Sequence, residues 1–131
     1  MSATEALTLR KEERLCSKKL IGQLFEGGNN HSIVAFPLRA VFMKTTLAKA
    51  PVQMLVSVPK RQFKRAVKRN RVKRQVREAF RNNKTLLEDA KTANEGGGIA
   101  IAFIWLDNRL RTTQEVEGKV KSLLQRIKER L

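Results

Sequence analysis

The sequence predicts an α+β fold, a single-domain α-β sandwich with a four-stranded sheet and elements in the order αβββαβα. Three observations carry that expectation. Apolar residues alternate with a period of two between Ser32 and Val58, an unbroken apolar run of eight occupies 99–106, and the C-terminal segment carries an apolar stripe at helical spacing.

The elements follow in chain order. Residues 1–14, MSATEALTLRKEER, mix charges and small residues with little periodicity, so a flexible N-terminal arm is expected there and one folded domain over 15–131. Ser17 is placed to cap a short helix in which Leu20, Ile21, Leu24 and Phe25 recur at helical spacing, with Gly27 and Gly28 as its stop. In SIVAFPLRAVFMKT, Pro37 cannot donate to a ladder and divides a short edge strand from a longer one. On the longer strand Leu38, Ala40 and Phe42 share one face, and Arg39, Val41 and Met43 the other. After the Ala50-Pro51 turn, VQMLVSV forms a third strand with Val52, Met54, Val56 and Val58 on one side, and a meander is the expected pairing.

A basic helix comes next and runs on through NNKTLLEDAKTAN into a glycine loop. IAIAFIWL, bounded by Gly97, Gly98 and Asp107, is expected to be a strand covered on both faces. Thr112 and Glu115 form a candidate capping box for the last helix. Its stripe is Val116, Val120, Leu123, Leu124, Ile127 and Leu131, with Lys119, Lys121, Arg126 and Lys128 left outside.

Charge sets the function classes. In 131 residues, 41% of them hydrophobic, 28 Lys and Arg face 12 Asp and Glu, for a net charge of +16. Solubility needs far less, so a polyanionic partner is expected. The lone cysteine, Cys16, can form no internal disulfide, and the N-terminus lacks the basic and apolar regions of a secretory signal, which points to the cytoplasm. IAIAFIWL is far shorter than the roughly 20 residues of a membrane helix.

The cations concentrate on one segment. Between Lys60 and Arg81, eleven Lys and Arg stand against a single acid, Glu78. On a helix, Val72, Val76, Ala79 and Phe80 gather on one side, and Asn70, Lys73, Arg74, Arg77 and Arg81 form an adjoining arc. Like charges three or four apart, at 69/73, 73/77, 77/81, 71/74 and 74/77, cost about 1 to 2.5 kcal/mol in total. A merely solvated face gains nothing from that repulsion, whereas a face that meets an anion does. Arginine predominates, which favours forked contacts to phosphate.

The neighbours of that helix favour RNA. A duplex reader of the helix-turn-helix kind has a second helix packed just before its recognition helix, where this chain has a strand. A duplex-binding regulator and a structural RNA-binding protein such as a ribosomal component are the competing classes. Phe25, Phe36, Phe42 and Phe63 are either stacking surfaces for unpaired bases or core residues. No acidic cluster is visible for metal-dependent cleavage, and His31, the only histidine, lies in an expected turn with no partner for general acid-base work. Cys16 has no evident histidine or metal-ligand companion. No catalytic or metal-binding residues of the protein are therefore expected.

The stretch SVPKRQFKRAVKRNRVKRQVREAFR resembles the bacterial ribonuclease P protein subunit. That family's signature of a Ser-Val strand end, a basic loop, Arg-Asn-Arg, Lys-Arg and Arg-Glu-Ala-Phe stands here as Ser57 and Val58, Lys60 and Arg61, Arg69-Asn70-Arg71, Lys73-Arg74, and Arg77-Glu78-Ala79-Phe80. ERLCSKKLIGQLFEGG is similar to the family's first helix, although Ile21 stands where an aromatic is usual, and the loop before Arg69 is about one residue longer than the common form.

The resemblance implies a subunit that joins a catalytic RNA to remove 5′ leaders from precursor tRNA, with an unusual left-handed βαβ crossover around the basic helix, contrary to the general rule. It implies that Arg69, Asn70, Arg71, Lys73, Arg74 and Arg77 contact the RNA subunit. Phe25, Phe42, Lys60 and Arg61, with Phe36 as a further candidate, would line a cleft for the leader. The chemistry then belongs to the RNA and its Mg²⁺ ions, with no cofactor required by the protein alone, no membrane and no obligate protein partner.

Overall fold

Alternation and turn chemistry build the sheet in the computed structural model, which describes residues 14, 15, 17–26, 30–45, 52–87 and 98–130. The strands are β1 (His31–Ala35), β2 (Leu38–Thr45), β3 (Val52–Ser57) and β4 (Gly98–Trp105). The helices are α1 (Lys18–Glu26), α2 (Ala66–Asn83) and α3 (Thr113–Glu129). The expected order αβββαβα is the observed one. Most of the expected arm, Cys16, Gly27 and Gly28, the Ala50-Pro51 turn, Gly97 and Leu131 lie outside the described residues.

The expected meander does not form. The sheet order is β1-β2-β4-β3, with β4 antiparallel to β2 and parallel to β3. The reason is burial: the unbroken apolar run of β4 has no side fit for water, and only a central strand has both faces and both edges covered. β1 and β2 do form a hairpin, with Ala35 opposite Leu38. Past the other edge, the Leu15 N–H donates to the Met54 carbonyl at 2.8 Å and Arg14 bridges to Met54.

Each face of β4 carries a different size of side chain. Ile99, Ile101, Phe103 and Trp105 enter the larger core under α2 and α3, where Phe103 meets Phe80 edge-on at 6.3 Å. Ala100 and Ala102 face the other way, toward Leu20 and Leu24 of α1. The small side chains leave room for a helix to lie close.

Helix ends follow local chemistry. The Ser17 Oγ accepts from the Leu20 N–H at 3.3 Å, and Asn30 Nδ2 donates to the Leu24 carbonyl at 2.6 Å, which closes α1 at both ends. Thr112 Oγ1 accepts from the Glu115 N–H at 3.1 Å, the first half of the expected capping box. The Glu115 carboxylate instead lies 3.5 Å from Arg111. α2 stops earlier than expected: Asn83 Nδ2 donates to the Ala79 carbonyl at 2.8 Å, and a 3₁₀ turn over Lys84–Leu87 tucks Leu87 into the core.

α2 is held by Val72, Val76, Ala79 and Phe80, all buried, and by Gln75, whose Nε2 donates to the Arg111 carbonyl at 3.0 Å and to Thr113 Oγ1 at 3.3 Å. Phe80 is the largest of these anchors. Phe80→Ala is expected to lower unfolding free energy by about 3 to 5 kcal/mol in a denaturant titration.

Candidate nucleic-acid interface

The same helical period that buries Val72, Val76 and Phe80 turns Asn70, Arg71, Arg74 and Arg77 to solvent, with Lys73 half-buried between them. Among the described residues, no carboxylate pairs with Arg71, Arg74 or Arg77. Glu78 is engaged by Arg81 at 2.8 Å. The first turn of α2 contains no acid, and Arg65 at its N-cap makes no side-chain cap. The positive end of the helix dipole therefore adds to the field of the side chains.

Arg69 differs from its neighbours. Its guanidinium turns back to donate to the Phe63 carbonyl at 2.7 Å and the Lys64 carbonyl at 3.1 Å. Val58 and Phe63 pin the two ends of the intervening loop in the core, while Lys60 and Arg61 stand exposed at its tip. Arg69 thus fixes the loop that presents two of the other cations.

The aromatic candidates separate. Phe25 is 44% exposed on α1 and Phe36 is 52% exposed in the β1–β2 turn. Phe42 is only 2% exposed and, with Leu38 and Ala40, points away from α1 into the α2–α3 core. Of the two readings open for Phe42 and Phe63, core is the one the structure supports; neither offers an open ring face. The α1 side of the sheet instead presents Ser32, Val34 and Arg39, all exposed, beside the half-buried Leu55, Ser57 and Ile104. Sequence reasoning passed over Arg39, which donates to Ser32 Oγ at 2.7 Å. An arginine in mid-strand was its signal.

Phe36 has a cation beneath it, the Arg111 guanidinium 5.3 Å from the ring centroid. Two hydrogen bonds, at 3.0 and 2.9 Å, tie that group to one oxygen of Asp107. Among the described residues, no three His, Cys, Asp or Glu side chains converge as metal ligands, and no helix is long and apolar enough to cross a membrane.

A sequence model of the family described as Ribonuclease P matches residues 9–128. The chain belongs to the ribonuclease P protein family. It is 40% identical over 128 residues to the ribonuclease P protein component of Porphyromonas gingivalis, covering 97% of this chain and 91% of that one. It is 35% identical over 117 residues to the component of Chlorobium phaeobacteroides, covering 83% and 79%. The fold matches the Staphylococcus aureus RNase P protein with a TM-score of 0.69 at 18% identity, over 88% of this chain and 94% of that one. For the Thermotoga maritima RNase P protein the TM-score is 0.66 at 24% identity, over 87% and 96%.

In this ribonuclease P protein, burial by itself raises the Asp107 carboxyl. The hydrogen bond and charge of Arg111 and the Asn108 N–H outweigh it, so the pKa is lowered. A carboxyl with a lowered folded pKa stabilises the protein above the ordinary aspartate range, and that stability is lost as pH falls through the folded value. Asp107→Asn should therefore melt below wild type at neutral pH and converge with it in acid, as read from melting temperature against pH.

Proposed function

We propose that this chain is the protein subunit of ribonuclease P, the ribonucleoprotein endonuclease that removes the 5′ leader from precursor tRNA in the bacterial cytoplasm. The observation that carries the proposal is the row of Asn70, Arg71, Arg74 and Arg77, exposed and, among the described residues, unmatched by acids on a helix whose other side is buried. A folded RNA offers phosphates at a density that such a row can meet. Release of condensed counterions then drives association, and arginine forks orient it. Lys73 supports the same surface, and Arg69 supports it by holding the adjoining loop.

The leader is assigned to the α1 side of the sheet. Phe25 supplies a ring for stacking on an unpaired base, and Lys60 and Arg61 supply phosphate contacts beyond the end of β3. Phe42 acts there only by supporting the sheet from behind. Phosphodiester cleavage is assigned to the RNA subunit with Mg²⁺ held by RNA. The protein contributes grip and electrostatics, because its described carboxylates do not converge and Asp107 and Glu78 are already paired.

Reconstitution with a bacterial ribonuclease P RNA at low Mg²⁺ should accelerate cleavage of precursor tRNA and tighten binding of leader-bearing substrate. Equal rates with and without the protein would overturn the proposal, and co-sedimentation with ribosomal subunits instead would favour a structural RNA-binding role. Arg71→Ala combined with Arg74→Ala should weaken RNA binding and reduce the slope of log affinity against log salt by about 0.7 to 0.9 for each phosphate that the variant no longer neutralises. Phe25→Ala should narrow the difference in affinity between leader-bearing and mature tRNA. Its melting temperature should change little, since the ring is already half in solvent.

A further inference from the structure

We infer that Phe36, backed by Arg111, is a stacking platform for an unpaired RNA base, separate from the surface beside α1. The inference rests on the RNA-binding reading above and extends it to a second place on the molecule.

The placement is distinct. Arg111, whose guanidinium lies against the Phe36 ring, belongs to the segment that leads into α3, and its carbonyl accepts from Gln75 of α2. α1 and Phe25 lie against the opposite face of the sheet.

The ring is also held ready. Its turn is fixed by the Leu106 N–H donating to the Pro37 carbonyl at 2.8 Å. The guanidinium under the ring is clamped by Asp107 through two hydrogen bonds, and the Arg111 carbonyl accepts from Gln75 at 3.0 Å. A ring ordered on one side by a fixed cation, with about half its surface open, gives a stacking surface with little side-chain entropy left to lose.

The charge around it selects the ligand. Asp107 and Glu115 are both engaged by Arg111, whereas Arg109 and Arg126 are exposed. Arg126 reaches this corner directly, donating to the Val34 carbonyl at 2.7 Å. An aromatic face in a positive surround fits a π-surface that carries negative charge. An unpaired nucleotide has both. The base belongs either to the catalytic RNA or to the precursor leader, and the experiment separates them.

The test compares wild type, Phe36→Leu and Phe36→Trp in the full chain. Binding to ribonuclease P RNA alone is one arm, and binding of the reconstituted holoenzyme to precursor tRNA with and without a leader is the other. Phe36→Leu is expected to weaken one arm by about fivefold to a hundredfold with an unchanged salt slope, because the substitution removes a stack and leaves every phosphate partner in place. Weakening in the first arm assigns the base to the catalytic RNA; weakening confined to leader-bearing substrate assigns it to the leader. Phe36→Trp should restore affinity, and its added indole should be quenched by RNA relative to wild type, whose single tryptophan, Trp105, is buried.

Wild-type affinity of Phe36→Leu in both arms, or an unquenched Phe36→Trp, overturns the inference. The quenching readout stands even if Phe36→Leu folds poorly. The doubly substituted Arg71→Ala, Arg74→Ala protein separates the two claims. If it binds RNA weakly while Phe36→Leu binds normally, only the platform fails; if both bind normally, the RNA reading itself fails.

Discussion

β4 has no side that faces water, and the position of every other element follows from that. Its neighbours must be strands on both edges, so it lies between β2 and β3. Both faces must be roofed, so helices pack above and below. Large residues, Ile99, Ile101, Phe103 and Trp105, project toward the two long helices, and the alanines between them face the short one. The difference in side-chain size sets how closely each layer approaches. The parallel pairing with β3 needs a long crossover, and α2 is that crossover. The basic helix is thus a topological requirement of the sheet as well as a surface.

That coupling lets the helix tolerate its own charge. Repulsion within the exposed row, from the pairs 71/74 and 74/77, amounts to about 0.4 to 1 kcal/mol. Each fully buried Val or Phe beneath it contributes about 1.5 to 3 kcal/mol, and Val72, Val76 and Phe80 are all at 0% exposure. Packing exceeds repulsion without help from any acid. Gln75 adds a directional tie to the segment before α3. Arg71, Arg74 and Arg77 therefore sit on a rigid frame with no carboxylate partner among the described residues, and an arriving polyanion need not order the helix that carries them. Arg69 shows the complementary use of the same residue type, with its guanidinium turned inward on two carbonyls so that Lys60 and Arg61 project from a defined loop.

Much of this was legible in the sequence. Period-two alternation gave the faces of β2, the apolar run gave the two-sided burial of β4, and the helical stripe gave the core side of α3. Strand neighbours were not legible, because the meander and the observed order place the same residues on the same faces and differ only in long-range pairing. Alternation put Phe42 on a face without saying which helix covers that face, so a core ring and a stacking ring looked alike. Arg69 was indistinguishable from Arg71 by composition; two backbone carbonyls brought near by the loop made the difference. Arg111 and Asp107 drew no attention, since their partnership with Phe36 spans some seventy positions of chain.

The bridge of Arg14 and Leu15 to Met54 has a further consequence. β3 is the sheet's outer strand on that side, and an uncovered strand border is a template on which a second copy of the chain could extend the ladder. Arg14 and Leu15, ahead of α1, lie along that border at Met54, and the exposed Arg14 puts a positive charge there that disfavours the approach of an identical strand.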